Sequence, residues 1–225
     1  MIRFPVALTA AILASGMVTA AGAAAAPDPG IPPLSPQAGA AGLLDVRSVV
    51  PDAIIDLRYA TANNFVGRPL YPADARCLVH ESIAPGLATA AAALRARGNR
   101  LVFWDCYRPH DVQVAMFAAV PNPAWVAKPG QYARSHESGR SVDVTLARQC
   151  AAGLCFVDMG TDFDDFSPRA HAYATEGVST QAQANRETLR DAMAAGGLTV
   201  YSGEWWHFDG PGAGVDRPIL DVPVN

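Results

Sequence analysis

The alternation of hydrophobic and polar residues along the chain predicts helices and short strands in mixed order. Apolar residues recur at helical spacing in segments 82–98, 111–119 and 181–196, and glycine ends the first and the last of them. Short apolar, β-branched or aromatic runs predict strands at residues 46–50, 54–59, 101–105, 142–146, 154–159, 198–201 and 205–208. This order favours an α+β fold in which helices cover a small, mainly antiparallel sheet.

The first 26 residues have the pattern of a secretory signal peptide. Arg3 supplies a positive start, and residues 4–26 are apolar or small with few exceptions. Three alanines at residues 24–26 provide an A-x-A cleavage site. An uncleaved membrane anchor is the alternative, but the alanine-rich composition disfavours it. We therefore expect cleavage after Ala26 and export to the periplasm, the cell envelope or the medium, with no stable membrane insertion afterwards.

The rest of the chain is expected to form one domain. Residues 27–42 are rich in proline, glycine and alanine, so we expect a flexible leader there and a single catalytic domain at residues 43–225. The net charge of −4 and the isoelectric point near 5.7 give no electrostatic footprint for nucleic acid. A small solute or a peptide is the expected partner.

Four cysteines agree with an oxidising compartment. Cys150 and Cys155 are near enough in sequence to close a short loop, which would leave Cys77 and Cys106 as the second pair. The sequence alone allows other pairings. A four-cysteine zinc site is the weaker interpretation, because no C-x-x-C spacing is present.

Two separated clusters contain residues of the types that bind zinc. His136 and Asp143 would lie on opposite faces of an uninterrupted strand, so the chain must turn at Gly139 to bring them together. Near the C-terminus, Glu204 and His207 form the second cluster. Two histidines and one aspartate would supply three ligands and leave the fourth tetrahedral position open, which is typical of a catalytic rather than a structural zinc.

Two charged residues have the chemistry to act beside such a metal. Glu204, three residues before His207, is placed to accept and return a proton as a general base. Arg108 follows a predicted buried strand, and its permanent charge is suited to an oxyanion forming on a scissile carbonyl. The alternatives are structural: a solvated carboxylate for Glu204, a surface residue for Arg108 and a core histidine for His207.

Five motifs occur in the same order as in a known enzyme family. They are D-L-R-Y-A-T at 56–61 with N-N-F at 63–65, W-D-C-Y-R-P at 104–109, the segment 135–146, M-G-T-D-F-D at 159–164, and E-W-W-H at 204–207. On these motifs the chain resembles the VanX-type zinc D-alanyl-D-alanine dipeptidases over almost all of residues 43–224. The resemblance implies a Hedgehog/DD-peptidase-like zinc peptidase fold, with one catalytic zinc bound by His136, Asp143 and His207. It also implies Glu204 as the general base and Arg108 as the residue that stabilises the tetrahedral intermediate.

The resemblance also implies where a substrate binds. Asp164, with Tyr59 nearby, would receive the free amino group of a dipeptide, and Ser135 would lie beside the substrate. Two positions depart from the family pattern S-x-H-x-x-G-x-A-x-D, because Arg134 replaces its serine and Ser141 replaces its alanine. Neither departure removes a metal ligand.

The function expected from the sequence is therefore hydrolysis of D-alanyl-D-alanine, or a related D-amino-acid dipeptide, in cell-wall peptide turnover. A zinc DD-carboxypeptidase or endopeptidase acting on peptidoglycan stems is the alternative within enzymes, and Asp164 argues against it. A non-catalytic zinc-binding domain is the alternative outside enzymes. Glu204 and Arg108 argue against that one, since neither is needed to hold the metal.

Overall fold

The computed structural model describes residues 1–2 and 30–225 of the chain. Apart from its first two residues, the predicted signal peptide lies outside the described residues. The described part contains the helices α1 (Pro36–Ala40), α2 (Ala84–Arg95), α3 (His110–Ala119) and α4 (Thr180–Ala195). Its strands are β1 (Leu43–Asp45), β2 (Ile54–Ile55), β3 (Leu78–His80), β4 (Asn99–Asp105), β5 (Ser141–Cys150), β6 (Gly153–Phe156), β7 (Thr199–Val200) and β8 (His207–Asp209). No helix within these residues is long and apolar enough to span a bilayer.

The main sheet is small and mainly antiparallel. Its strand order is β2-β4-β5-β8-β7, and β6 pairs with the distal part of β5 as a hairpin. In the described residues β2 runs parallel to β4, whereas the other neighbours are antiparallel. A separate two-stranded sheet pairs β1 with β3. The predicted α+β class is confirmed.

The ordered structure begins earlier than the sequence predicts. Residues 36–40 form helix α1, whose first turn is capped by the Ser35 hydroxyl accepting from the amide of Ala38 at 3.1 Å. The Ala38 side chain is fully buried, and Arg76 donates to the carbonyl of Pro33 at 3.0 Å. Within the leader predicted for residues 27–42, residues 36–40 are thus helical, and a buried alanine and a cap attach them to the domain.

The predicted strand at residues 46–50 is absent, and the one predicted at residues 54–59 is shorter than expected. Val46–Ser48 is a 3-10 helix, because the Asp45 carboxylate accepts from the amide of Arg47 at 2.9 Å and starts a turn. The predicted strand at 54–59 ends after two residues and gives way to a second 3-10 helix, Arg58–Ala60. Hydrophobic alternation does not reveal the Asp45 cap that starts the first of these turns.

The four cysteines form two disulfides in the structure. Cys77 and Cys106, with Cα atoms 5.2 Å apart, join the start of β3 to the end of β4. Cys150 and Cys155 close the turn between β5 and β6. The first of these bonds lies two residues before Arg108, so it holds the segment that enters the candidate site.

Helices α2 and α4 pack against each other, and a pair of glycines allows the approach. Gly86 lies in the first turn of α2, and Gly196 follows the last residue of α4. A Cβ at Gly86 would overlap the carbonyl oxygen of Gly196 and would lie 2.9 Å from a methyl group of Leu198. A backbone carbonyl cannot move aside as a flexible side chain does, so this contact requires glycine.

We therefore expect Gly86→Ala to destabilise the protein even though alanine is the better helix former. Overpacking of this kind costs about 1–3 kcal/mol in free energy of unfolding, so the melting temperature should fall by several degrees. Gly214→Ala is the matched control, because a Cβ there meets no atom within 4 Å. Equal melting temperatures for the two variants, measured by calorimetry, would contradict the packing argument.

Candidate active site

The three predicted metal ligands lie on three backbone segments that meet at the centre of the main sheet. His136 is in the 3-10 helix Ser135–Ser138, which ends at Gly139 in the left-handed conformation with φ of 66°. Asp143 on β5 and His207 on β8 are direct cross-strand partners. The turn at Gly139 thus returns the chain into β5 with His136 beside Asp143, as the sequence predicts.

The ligand atoms form a nearly equilateral triangle. His136 Nε2 is 3.1 Å from His207 Nδ1 and 3.3 Å from Asp143 Oδ1, and the third side, from His207 Nδ1 to Asp143 Oδ1, is 3.1 Å. A tetrahedral zinc with bonds of about 2.0–2.1 Å separates its ligand atoms by about 3.3–3.4 Å. The three side chains therefore fit a zinc ion with little adjustment.

Hydrogen bonds on the far side of each imidazole favour the tautomer that a metal requires. His136 Nδ1 lies 2.8 Å from the carbonyl oxygen of Cys106, which can only accept a proton. His207 Nε2 lies 3.1 Å from Asp209 Oδ1. With these nitrogens donating, His136 Nε2 and His207 Nδ1 are left to direct lone pairs at the same point.

The charges at the triangle are strongly coupled. Burial alone would raise the pKa of Asp143, but the two imidazoles beside it outweigh burial and hold that pKa well below its ordinary value. Burial alone would lower the pKa of His207, but hydrogen bonds to Asp143 and Asp209 outweigh it and raise that pKa to about 10. Asp143 is therefore anionic at neutral pH, and a metal ion bound at the triangle would have to displace the proton on His207 Nδ1.

Glu204 lies at the same centre. Its Oε2 is 3.9 Å from His207 Nδ1, and about a quarter of its side chain is exposed. Burial, reinforced by the negative charge of Asp143, raises the pKa of Glu204 despite the nearby cationic groups. Within the described residues no hydrogen bond occupies its carboxylate. A carboxyl with free oxygens at this position is suited to receive and release a proton.

Arg108 is a buried residue rather than the surface arginine that the sequence left as an alternative. Its Nε and Nη2 donate to Asp105 Oδ2 at 2.9 and 2.6 Å, and its Nη1 donates to Gln113 at 2.7 Å. Its Nη2 is also 3.8 Å from Asp143 Oδ2. A guanidinium has more N–H groups than these partners occupy, so donors remain for a group in the cavity.

The partners of Arg108 are functional residues that the sequence analysis missed. Asp105 is fully buried at the end of β4 and also accepts a hydrogen bond from the Tyr71 hydroxyl at 2.6 Å. Burial alone would lower the pKa of Arg108, but Asp105 outweighs it and raises that pKa well above its ordinary value. An aspartate at the end of a buried strand, three residues before an arginine, was the available signal.

Asp164 and Tyr59 are in direct contact. The Tyr59 hydroxyl lies 3.0 and 3.2 Å from the two carboxylate oxygens of Asp164. Asp164 has a φ of 56°, a conformation that few residues other than glycine adopt and that persists only where the surroundings impose it. Burial, together with the charges of Asp143 and Glu204, raises the pKa of Asp164 well above its ordinary value. The surroundings of Asp164 therefore disfavour the charged form of its carboxyl group.

A buried arginine holds the loop that contains Asp164. Arg186 on α4 is only 1% exposed and donates to the carbonyl oxygens of Met159, Arg169 and His171 at 2.7, 2.9 and 3.1 Å. Its Nη2 has no hydrogen-bond partner in the described residues. Helical spacing alone does not distinguish such an arginine from a solvent-exposed one, so the sequence analysis missed it.

Ser135 and Ser141 belong to a hydrogen-bonded chain that ends at His207, one of the predicted metal ligands. The Ser135 hydroxyl donates to Ser141 at 2.9 Å, and the Ser141 hydroxyl donates to Asp209 at 2.5 Å. Asp209 in turn faces His207 Nε2. The serine that replaces the alanine of the family pattern thus helps to orient the aspartate behind His207. Asp209, two residues after His207 on one strand, was identifiable by period two.

All eight residues predicted to bind metal, act in catalysis or contact substrate line one cavity of about 590 Å³. They are His136, Asp143, His207, Glu204, Arg108, Asp164, Tyr59 and Ser135. The cavity's outer wall includes Trp125, which stacks on Phe166 with ring centroids 5.1 Å apart. The arrangement joins a metal triangle, a candidate general base, a buried cation and a carboxylate suited to an ammonium group. Their individual roles remain predictions.

Comparison with known proteins agrees with this geometry. The family model described as peptidase M15, D-Ala-D-Ala dipeptidase, matches residues 39–225. The D-alanyl-D-alanine dipeptidase of Escherichia coli strain K12 is 36% identical over 178 residues, which cover 79% of this chain and 89% of that protein. The D-alanyl-D-alanine dipeptidase of Enterococcus faecium is 32% identical over 188 residues, with coverage of 76% and 92%.

A solved structure of the LD-carboxypeptidase LdcB is a more distant match. It covers 61% of each chain at 17% identity with a TM-score of 0.39, too low to support any argument about this chain. The family model and the curated relatives span nearly the whole described domain, and the resemblance found in the sequence is confirmed. The chain belongs to the D-Ala-D-Ala dipeptidase family of M15 peptidases and is a peptidase hydrolase.

Proposed function

We propose that this chain is a zinc dipeptidase that hydrolyses D-alanyl-D-alanine, or a closely related D-amino-acid dipeptide, to free amino acids. The proposal depends on one observation: the triangle of His136, Asp143 and His207 lies in the same cavity as Asp164. The Asp164 carboxyl has a raised pKa because it is buried, and it accepts a hydrogen bond from Tyr59. Relatives that carry the name D-alanyl-D-alanine dipeptidase support the choice of substrate.

The metal is proposed to be a single zinc ion held by His136, Asp143 and His207. Two imidazole nitrogens and one carboxylate oxygen are a donor set that zinc accepts, and the separations of the ligand atoms suit its tetrahedral geometry. When bound, zinc polarises a carbonyl group and lowers the pKa of water to about 7. The remaining chemistry falls to the side chains around it.

Asp164 is proposed to bind the free ammonium of the substrate. An ammonium beside this carboxylate stabilises its charged form, which burial and two neighbouring carboxylates otherwise disfavour. Tyr59 donates its hydroxyl to Asp164 and keeps the carboxylate in place. A substrate with a blocked amino group would leave Asp164 unpaired, so the residue favours dipeptides over longer peptides.

Glu204 and Arg108 are proposed to act at the scissile bond. An oxygen of the Glu204 carboxylate takes a proton from the attacking water and delivers it to the nitrogen of the departing amino acid. Arg108, fixed by Asp105 and Gln113, directs its remaining N–H groups toward the oxygen that becomes negative during attack. Because its partners are already in place, the guanidinium needs little reorganisation when that charge develops.

A carboxypeptidase or endopeptidase acting on peptidoglycan stems would use the same metal triangle. Such an enzyme accepts substrates whose amino side continues into a chain. It would have no use for a buried carboxylate that is uncompensated without an ammonium. The contact between Asp164 and Tyr59 therefore favours the dipeptidase.

We further propose that the protein acts outside the cytoplasm on dipeptide released from the cell wall. The signal-like residues 1–26 and the two disulfides support export, because disulfides persist in oxidising compartments. An exported protein whose N-terminal residue is Pro27 would support this location. Recovery of the uncleaved chain from the cytoplasm alone would contradict it.

Replacement of Glu204 by glutamine should separate catalysis from metal binding. Loss of the proton acceptor is expected to lower kcat by about 10²–10⁴-fold, with zinc stoichiometry unchanged because the residue is not among the three ligands. Glu137→Gln is the matched control, since Glu137 lines the same cavity but is paired with His110. Turnover of Glu204→Gln near the wild-type rate would remove Glu204 from the mechanism.

Asp164→Asn should weaken the enzyme's distinction between free and N-acetylated D-alanyl-D-alanine. Removing one partner of a buried charge pair is expected to lower kcat/KM for the free dipeptide by about 30- to 1,000-fold, while the slow reaction of the acetylated one changes little. Tyr59→Phe keeps the carboxylate but removes the hydroxyl that holds it, so it should reduce the preference less than Asp164→Asn does. An undiminished ratio of the two kcat/KM values in Asp164→Asn would exclude amino-group recognition by this residue.

A further inference from the structure

The lining of the cavity carries mostly negative charge, which disfavours the C-terminal carboxylate of a dipeptide. Carboxylates dominate the ionised groups of its lining, which include Glu137, Asp143, Asp164, Glu204, Asp209 and Asp216. A dipeptide carries a negative C-terminal carboxylate as well as its ammonium. Like charges in a partly desolvated cavity repel, so a cation at the carboxyl end would favour binding of a free dipeptide.

The position of that cation is limited by the length of the substrate. Two extended residues span only about 7 Å, so the carboxylate must lie close to the metal ligands. The amino end is assigned to Asp164, which contacts Tyr59. Ser135 lies instead near the Nε2 edge of His207, at 3.4 Å. Asp164 and Ser135 therefore contact different residues of the cavity lining, Tyr59 and His207 respectively.

Three permanently or normally cationic residues line the cavity: Arg108, Lys128 and Arg134. Arg108 is buried, bound to Asp105 and assigned to the scissile carbonyl. Lys128 is exposed on a loop eight residues before His136, without an ion pair in the described part of the chain. Arg134 is two residues before His136 and directly precedes Ser135, so its backbone is fixed next to the metal centre.

The backbone around Arg134 is firmly held. Ala133 and Arg217 exchange two hydrogen bonds, of 2.8 and 3.2 Å, and the amide of Ser135 donates to the carbonyl of Ala213 at 2.8 Å. The Nε of Arg134 donates to Asp216. Within the described residues its two terminal amino groups have no partner. Asp216 thus holds one edge of the guanidinium and leaves donors that a carboxylate can accept in paired geometry.

We propose that Arg134 binds the C-terminal carboxylate of the substrate and that Asp216 positions its guanidinium. This inference rests on the proposed dipeptidase function and extends it to the other end of the substrate. Arginine occupies a position where the family pattern has serine, so the added charge is a feature of this chain. With Asp164 binding the ammonium group and Arg134 binding the carboxylate, the cavity would recognise both charged ends of a dipeptide.

The test compares D-alanyl-D-alanine with its C-terminal amide, which keeps the ammonium and the scissile bond but lacks the negative charge. The wild-type protein should prefer the free acid. Arg134→Ala should lower kcat/KM for the acid by about 10- to 100-fold, mainly through KM, and change kcat/KM for the amide little. Asp216→Asn should reduce the preference for the acid less than Arg134→Ala does.

Lys128→Ala is the matched control, because it removes the other exposed cation of the cavity and should keep the wild-type preference. An acid-to-amide ratio unchanged in Arg134→Ala, or lost in Lys128→Ala instead, would overturn the proposal. Binding is measured separately by calorimetry with D-alanyl-D-alanine in the Glu204→Gln background, with and without Arg134→Ala. A wild-type protein that hydrolyses neither substrate would contradict the dipeptidase function, whereas unchanged binding on loss of Arg134 would contradict this inference alone.

Discussion

The pairing of β5 with β8 is the constraint on which the candidate site depends. It places Asp143 opposite His207, and the turn at Gly139 adds His136 to the same point. A slip of one residue in this pairing would turn either side chain to the opposite face of the sheet. The register is fixed by buried residues on the same strands, among them Val142 and Phe208. The hydrophobic core therefore determines the relative positions of Asp143 and His207.

The second constraint is the burial of charge around that triangle. Buried ionised groups are tolerated only when they are paired or hydrogen-bonded, and here Arg108 and Asp164 both have hydrogen-bond partners. Asp105 and Gln113 hold Arg108, and Tyr59 holds Asp164. The left-handed backbone at Asp164 shows that the fold maintains a local conformation of high energy at this place. Such features are expected where binding geometry matters more than local stability.

The sequence was informative about the ligand triangle because residues that can bind a metal are recognisable by type. Gly139 was recognisable as a turn position because it has no side chain. It was less informative wherever a partner is distant along the chain. Nothing local indicated that Asp105 binds Tyr71, that Arg186 supports the loop of Asp164, or that a buried Ala38 orders the leader. These contacts depend on tertiary packing, which hydrophobic periodicity does not describe. Asp209 is different, since its position on the strand of His207 was a usable signal.

A cavity that joins a zinc centre to a carboxylate requiring a free amino group should accept free dipeptides and reject longer chains. The most direct measurement is release of D-alanine by the purified, zinc-loaded protein from two substrates, free D-alanyl-D-alanine and a pentapeptide stem ending in D-alanyl-D-alanine. We expect release from the free dipeptide and none from the stem. Release from the stem at a comparable rate would contradict it and would identify a carboxypeptidase.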